Sequence, residues 1–428
     1  MTMIYRLCDW IGRLTGTIIL TPHPYAVGNC AEDIYFGLLK ARREQKKLVI
    51  LFPYELPWRL KFRLTNIELV NVESEYRFPL NNSLYIAGRL LITAYFGFFR
   101  ALSLLIRLLF GRHLNELYRT PAIGNLTLWK PDARITSFSW DFVAKYNWQS
   151  QLAAPLQVSL GKQKKIIAEN LRCEMGLPKE AWFVCLHVRE GGFHNDHCTE
   201  RNANILNYIG AIEEVTSRGG WVVRMGDATM TKLPLMERVI DYPFTKYKSA
   251  LMDIYLISEC RVYIGMMSGI YDVALLFQRP MIMTNMSNWM WTFPIKMGDM
   301  GVMKHIYSKS KNRFLSIREW LAEPFEAMSF MALGNDYKFF ENDSQELKAV
   351  VREFFERGDN WERSQLQRQF DELRVCNGKK LISESVISND VFETNQRYRL
   401  ASRLDSAVGV LGSEYLQKNW EHDVRNVQ

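Results

Sequence analysis

The chain has 428 residues, of which 48% are hydrophobic and 23% charged, and a formal net charge of +8. That balance excludes a disordered or fibrous chain and allows a large buried core, split at about 150 residues per domain into two or three domains. Its seven cysteines stand singly, with no CxxC pair and an odd total, which argues against a disulfide framework and for a reducing cytoplasm.

The opening "MTMIYRLCDWIGRLTG" carries Asp9 and Arg13 within its apolar part and lacks a small-residue cleavage site, so no secretory signal is expected. "GTIILTPHP" (16–24) reads as a buried strand stopped by two prolines. "YAVGNCAEDIYFGLLKARRE" reads as a turn and a helix with Ile34, Leu38 and Ala41 on its apolar face, and "KKLVILFP" (46–53) as a second strand. A β-α-β unit of this kind predicts a parallel sheet covered by helices. "NIELVNV" (66–72) reads as a third strand. His23, Glu32 and Asp33 follow the first strand. A carboxylate there could take a proton from an attacking hydroxyl, with Asp33 the first choice. The pair could equally serve the macrodipole of the helix they open.

Residues 78–110 read as helical. "LLITAYFGFFRALSLLIRLLF" (90–110) has the length to span a bilayer, but Arg100 and Arg107 would each cost about 2.5–3.5 kcal/mol near its centre. At roughly 100° per residue, Arg89, Arg100 and Arg107 fall within about 20° of one line. A basic stripe on an apolar helix over 88–113 suits a segment lying in a membrane interface; the other reading is a core helix with one solvated face. Residues 1–150 hold 19 Lys+Arg against 11 Asp+Glu and the remainder 35 against 35, so the whole excess of positive charge lies in the first third. Such an excess suits nucleic acid or an anionic membrane surface; beside the apolar helix the membrane is the expected partner, and nucleic acid is not. Residues 111–150 read as irregular.

From 156 the alternation restarts. Helices are expected at 164–178, 205–220, 249–260 and 267–277, and strands at 182–188, 221–227, 261–265 and 280–285. Each strand runs into polar residues or glycine, which describes a doubly wound α/β domain with its ligand loops at the carboxyl ends of the strands. After about 336 the chain becomes charged and helical, beginning with a capped helix at 342–360. The expected division is 1–155, 156–335 and a helical extension over 336–428.

Four of these strand ends carry candidate binding residues, three of them with an arginine or Ser-Gly. The first strand ends in His187 and Arg189, followed by Glu190, two glycines, Arg201 and Asn202. An arginine at that edge suits a grip on phosphate or carboxylate, or an ion pair with Glu190 or Asp196. His194, Asp196, His197 and Cys198 are metal-ligating types, but their spacing matches no familiar site and no second ligand pair exists, so a loop over a bound ligand is expected there and no metal. "VVRMGD" delivers Arg224, Gly226 and Asp227; "GMMSGIYDVALL" delivers Ser268 and Gly269 at a helix start; and "PMIMTN" ends in Asn285. Together these ends point to one diphosphate-bearing ligand. Neither GxGxxG nor GxxxxGK[ST] occurs, which disfavours a dinucleotide redox cofactor or a P-loop ATPase.

"VCLHVREGG", "RNANILNYIGAIEEVTSRGGWVVRMGD" and "DIYLISECRVYIGMMSGIYDVALLFQRPMIMTN", in that order, resemble the C-terminal domain of bacterial glycosyltransferases from surface-polysaccharide gene clusters, remotely similar to O-fucosyltransferases. The resemblance covers about 180–290, and 16–50 weakly. It implies a GT-B-like α/β fold of two Rossmann-like domains facing a cleft, a nucleotide-sugar donor on the C-terminal domain, and neither cofactor nor obligatory metal. It implies that Arg189 and Arg224 touch the donor diphosphate and that Gly226, Ser268 and Gly269 shape its pocket; His187, Arg201, Asp227 and Asn285 complete the expected donor-binding residues. Glu190-Gly191-Gly192 stands where fucosyltransferases carry a further arginine or an aspartate, a departure from a GDP-fucose site. The expected protein is cytoplasmic and peripheral to the inner face of the cell membrane, and transfers a sugar to a glycan or lipid-linked acceptor. The rivals are a sugar-nucleotide epimerase of the same architecture and a non-catalytic membrane-bound sugar-nucleotide sensor.

Overall fold

The computed structural model describes residues 11–20, 22, 26–54, 65–111, 155–192, 199–287, 294, 296–322, 336–358, 361–384 and 407–421. Two compact units emerge, the first built mainly from Met1–Lys164 and the second mainly from Lys165–Ala274 and Arg279–Val386 with Gln396–Gln428.

In the first unit β1 (Thr17–Leu20) and β2 (Lys47–Ile50) pair in parallel, Thr17 opposite Lys47 and Leu20 opposite Ile50. Helix α1 (Val27–Arg43) connects them and buries Ile34, Leu38 and Ala41, as its periodicity predicts. Gly37 sits where the helix closes on both strands: a Cβ there would lie 3.0 Å from a Leu48 methyl and 3.1 Å from one of Leu20. The stretch expected as a third strand is instead a one-turn helix, α2 (Ile67–Val70). The Asn66 side chain accepts from the Glu68 amide at 2.9 Å, and this cap overrides the β-branched pattern of a short segment.

Helix α3 (Ser83–Phe110) is capped by the Asn82 side chain and ended by left-handed Gly111 at φ 64°. Its packed side centres on Tyr85 and Ile92, and Tyr85 joins Val49 and Leu51 in one apolar cluster. Arg89 belongs to that side, which corrects its place in a headgroup-facing stripe. Its Nε donates to the Phe52 carbonyl at 3.1 Å, and its guanidinium stacks 4.1 Å from the Phe52 ring and 3.7 Å from that of Tyr54. Two ring faces and a carbonyl outcompete solvent for this cation.

Most of α4 (Lys162–Glu174) belongs to the second unit, which begins at Lys165. Its strands are β3 (Phe183–His187), β4 (Trp221–Arg224), β5 (Val239–Asp241), β6 (Val262–Gly265), β7 (Met281–Met286), β8 (Met300–Met303) and β12 (Val410–Leu411). They form one seven-stranded parallel sheet in the order β12-β8-β7-β6-β3-β4-β5. The connecting helices are α5 (Ile209–Ser217), α6 (Ala250–Glu259) and α7 (Gly269–Leu276). The chain steps outward from β3 to β4 and β5, returns through α6 to β6 on the other side of β3, and then steps outward the opposite way. With right-handed crossovers, opposite directions of travel put helices on opposite faces. This is a Rossmann-like, doubly wound sheet, and its switch point lies between β3 and β6.

A separate antiparallel sheet is formed by β9 (His305–Ser308), β10 (Arg313–Phe314) and β11 (Tyr337–Phe340) in the order β10-β9-β11, with α8 (Ile317–Ala322) between β10 and β11 in the chain. The final segment is not set apart from the sheet. Helix α9 (Ser344–Glu356), with an Asp343/Glu346 capping box, packs on α5; α10 (Gln365–Glu384) follows; β12 completes the sheet beside β8; and α11 (Ser413–Asn419) packs on α9.

Candidate functional site

The switch point is marked by a hydrogen-bonded pair. His187 ends β3 and Ser268 follows β6, and His187 Nδ1 lies 3.1 Å from Ser268 Oγ. In the register of β3 on β6, His187 stands opposite Gly265, whose missing side chain leaves room for the Tyr263 hydroxyl: a Cβ would lie 2.5 Å from it. Ser268 and Gly269, at the head of α7, are both partly exposed. The imidazole is buried, and burial pushes its pKa down to about 3, with the positive charges of Arg224, Arg189 and Lys248 adding to the effect and Asp227 opposing it. It is therefore neutral at working pH and too weak a base to hold a proton there.

Arg189 lies just beyond the strand, half-buried. Its Nη1 donates to Asn202 Oδ1, and its backbone carbonyl accepts from the Ala203 amide at 3.0 Å. Glu190 serves the next loop instead, its Oε2 accepting from the Thr231 amide at 2.6 Å. Asn202 is held from a second side, because Lys304 Nζ donates to its backbone carbonyl at 2.6 Å. Lys304 follows β8 at the same carboxyl edge and is almost wholly buried. Burial lowers its pKa to about 8, with Glu341 and Glu200 opposing. Glu341 accepts from the Asn204 amide at 2.8 Å and from Asn207 Nδ2 at 3.1 Å, fixing the rest of the loop that carries Arg201 and Asn202. Sequence reasoning missed Lys304, because strand β8 was not read and a lone lysine looks like surface.

Arg224 is turned the other way. It is wholly buried, with Nη1 on Asp241 Oδ1 at 2.9 Å and Nη2 on the Thr231 carbonyl at 3.0 Å. Asp241 Oδ2 also accepts from the Leu233 amide at 2.9 Å, so the pair ties β4 and β5 to the loop between them. Gly226 adopts φ 140°, and a Cβ there would meet the Met230 sulfur at 2.2 Å. Asp227 closes an Asx turn on the Thr229 amide at 2.8 Å. Gly192 of the β3 loop lies against Thr229, where a Cβ would be 2.6 Å from Oγ1, so the loops after β3 and β4 touch.

Asn285 is buried in left-handed backbone at φ 48°. Its amide donates to Asn342 Oδ1 at 2.9 Å, its own Oδ1 accepts from the Asn342 amide at 2.8 Å, and its Nδ2 donates to the Tyr208 hydroxyl at 2.9 Å. Tyr208 is 2.7 Å from Thr284 Oγ1, which donates to the Gly265 carbonyl at 3.0 Å. This buried network joins the ends of β6 and β7 to the 341–343 turn and directs Asn285 inward. The structure thus brings His187, Arg189 and Ser268 together at one edge and commits Arg224 and Asn285 to the framework beneath it.

In the first unit Glu32 and Asp33 are 5% and 2% exposed, enclosed within α1. The neighbouring Cys30 thiol is pushed up by burial and then by the charge of Asp33. His23 lies outside the described residues, as do His194, Asp196, His197 and Cys198. Among the described residues no group of three or more His, Cys, Asp or Glu could hold a metal ion. A cavity of about 300 Å³ beside Glu73, Glu75 and Ser159 is lined by carboxylates, which would repel a diphosphate.

No protein-family model and no curated protein matches this chain. Among solved structures, the glycosyl transferase family 9 protein of Veillonella parvula DSM 2008 is similar at 12% identity with a TM-score of 0.22. The likeness covers 30% of this chain and 36% of that one, little more than a third of that protein's length, and is too slight to carry fold or function.

Proposed function

We propose that the second unit binds a nucleotide-sugar donor at the β3–β6 switch point and that the protein is a metal-independent glycosyltransferase of GT-B type. The acceptor would be a glycan or lipid-linked sugar of a bacterial surface polysaccharide, assembled at the cytoplasmic face of the membrane. The observation that carries this reading is the placement of His187, Ser268 and Arg189 where the winding of the sheet reverses, the position at which doubly wound sheets take nucleotides. Arg189, held by Asn202, offers a planar cation to a diphosphate. The start of α7 offers positive partial charge to the same anion. Negative charge on a departing nucleoside diphosphate would be stabilised by these groups. His187, neutral and tied to Ser268, positions that edge. Lys304 positions Arg189 through Asn202. Arg224 and Asn285 hold the scaffold. Glu32 and Asp33 are buried in α1 of the first unit, and no base is assigned to the reaction.

The test is thermal stabilisation by a panel of nucleoside diphosphates and sugar nucleotides. At least one should raise Tm, and Arg189→Ala should weaken its binding by about 1.5–3 kcal/mol, the range for a hydrogen bond to a charged group, or roughly tenfold to a hundredfold in Kd. Unchanged affinity in a folded variant overturns the assignment of Arg189. Transfer from the bound donor should survive EDTA; loss with chelator and recovery with manganese overturns the metal-independent mechanism. Binding without transfer or hydrolysis replaces the enzyme with a sensor, and an epimerised sugar replaces transfer with epimerisation.

A further inference from the structure

Helix α3 turns an apolar face to water. At roughly 100° per residue, Ala87, Leu90, Leu91, Ala94, Phe98, Ala101, Leu105 and Leu108 fall within about 70° of the line opposite Tyr85 and Ile92. All eight are exposed, Phe98 to 63% and Leu108 to 78%, and no charged or polar residue interrupts them. The helix has 28 residues, and the strip from Ala87 to Leu108 runs for about 32 Å of it. Its ends are closed by the Asn82 cap and by Gly111, so it holds together along that length. Arg89 and Arg107 project from the opposite half of the helix, Arg89 packed and Arg107 exposed in the last turn. A continuous apolar strip of this size is uncommon on a soluble monomer and marks a contact surface.

We propose that this strip is the face by which the protein lies on an anionic lipid bilayer. Its leucines and Phe98 would enter the acyl boundary, with the cations of the first third at the headgroups. Charge selects this occupant. The first 150 residues carry 19 Lys+Arg against 11 Asp+Glu, which complements an anionic surface; a second copy would bring the same excess and repel it. No described helix combines the length and apolarity needed to cross a membrane, so the proposal is of a helix lying along the surface. It stands independently of the donor reading, since it concerns a different unit and a different ligand.

The test is co-sedimentation of the full chain with vesicles of phosphatidylcholine alone and of phosphatidylcholine with phosphatidylglycerol. Binding is expected to both and to be tighter with phosphatidylglycerol, and salt should weaken that preference without abolishing binding. The double variant Leu105→Gln/Leu108→Gln changes only exposed side chains and should retain the parent's Tm. It should bind both vesicle types at least about tenfold more weakly, because the apolar contribution is common to the two. A parent that stays in the supernatant with both vesicle types overturns the proposal. So does a variant that binds as tightly as the parent. A lipid-free dimer that the double variant dissociates would make the strip a protein interface and overturns it equally.

Discussion

Arg224→Ala is expected to lower folding stability by about 2–4 kcal/mol, from the lost packing of a wholly buried side chain and the lost hydrogen bonds of a charged group. Arg224 is wholly buried and reaches the partly exposed Asp241 and the Thr231 carbonyl, so its loss removes the guanidinium donor of both, leaves Asp241 with the Leu233 amide, and opens a gap where the side chain packed. Urea unfolding at neutral pH reads the effect as a lower midpoint with the slope unchanged. The double variant Arg224→Met/Asp241→Leu should recover much of the loss, because replacing both partners by apolar groups of similar volume is often neutral. If instead Arg224→Ala is as stable as the parent and only nucleotide affinity falls, then the arginine faces the ligand and the framework role is wrong. The two outcomes separate cleanly, since a ligand contact has no reason to move the midpoint of the empty protein.

That contrast shows where the sequence was legible and where it stopped. Strands β1, β2, β3, β4, β6 and β7 and the helices between them announce themselves through apolar runs ending in glycine or polar residues. The strand ends expected to carry His187, Arg189, Arg224 and Ser268 do carry them. What those side chains do depends on neighbours the local pattern does not name. Strand β5 has three residues, too few for any alternation to show, so Asp241 and its claim on Arg224 stay hidden. Strand β8, "MGVM", is short and glycine-containing, and Lys304 was lost with it. The pairing of Asn285 with Asn342 joins residues 57 apart, which no local signal predicts. The sequence shows that the arginines of α3 share a line, but Phe52 and Tyr54 decide that Arg89 faces inward and that the apolar side faces out. In each case the spacing along one element was readable and the partner on another element was not.

The unbound protein should lose stability steeply in mild acid, and His187 should account for much of the loss. The imidazole is held neutral, with a folded pKa of about 3 against an ordinary value of 6.5. Folding therefore excludes a proton that the unfolded chain accepts. A group depressed in the folded state contributes its stability above the unfolded pKa and loses it as pH falls toward the folded one. The window runs from about pH 6.5 down to about pH 3, with about 4–5 kcal/mol at stake across it and about 2–3 kcal/mol between pH 7.5 and pH 4.5. His187→Asn keeps a side-chain nitrogen or oxygen within reach of Ser268 and removes the titration. The stability gap between variant and parent should therefore shift by about 2–3 kcal/mol in favour of the variant when urea unfolding is repeated at pH 4.5. Parallel stability curves for the two proteins would show that His187 is accessible and ordinarily basic. The same neutrality reaches the chemistry, because an imidazole of this pKa cannot serve as a general base near pH 7. The pH profile of sugar transfer should accordingly show no limb near pH 6.5 that depends on His187. A limb there, absent from His187→Asn, would move the histidine from positioning the switch point to carrying the reaction's proton.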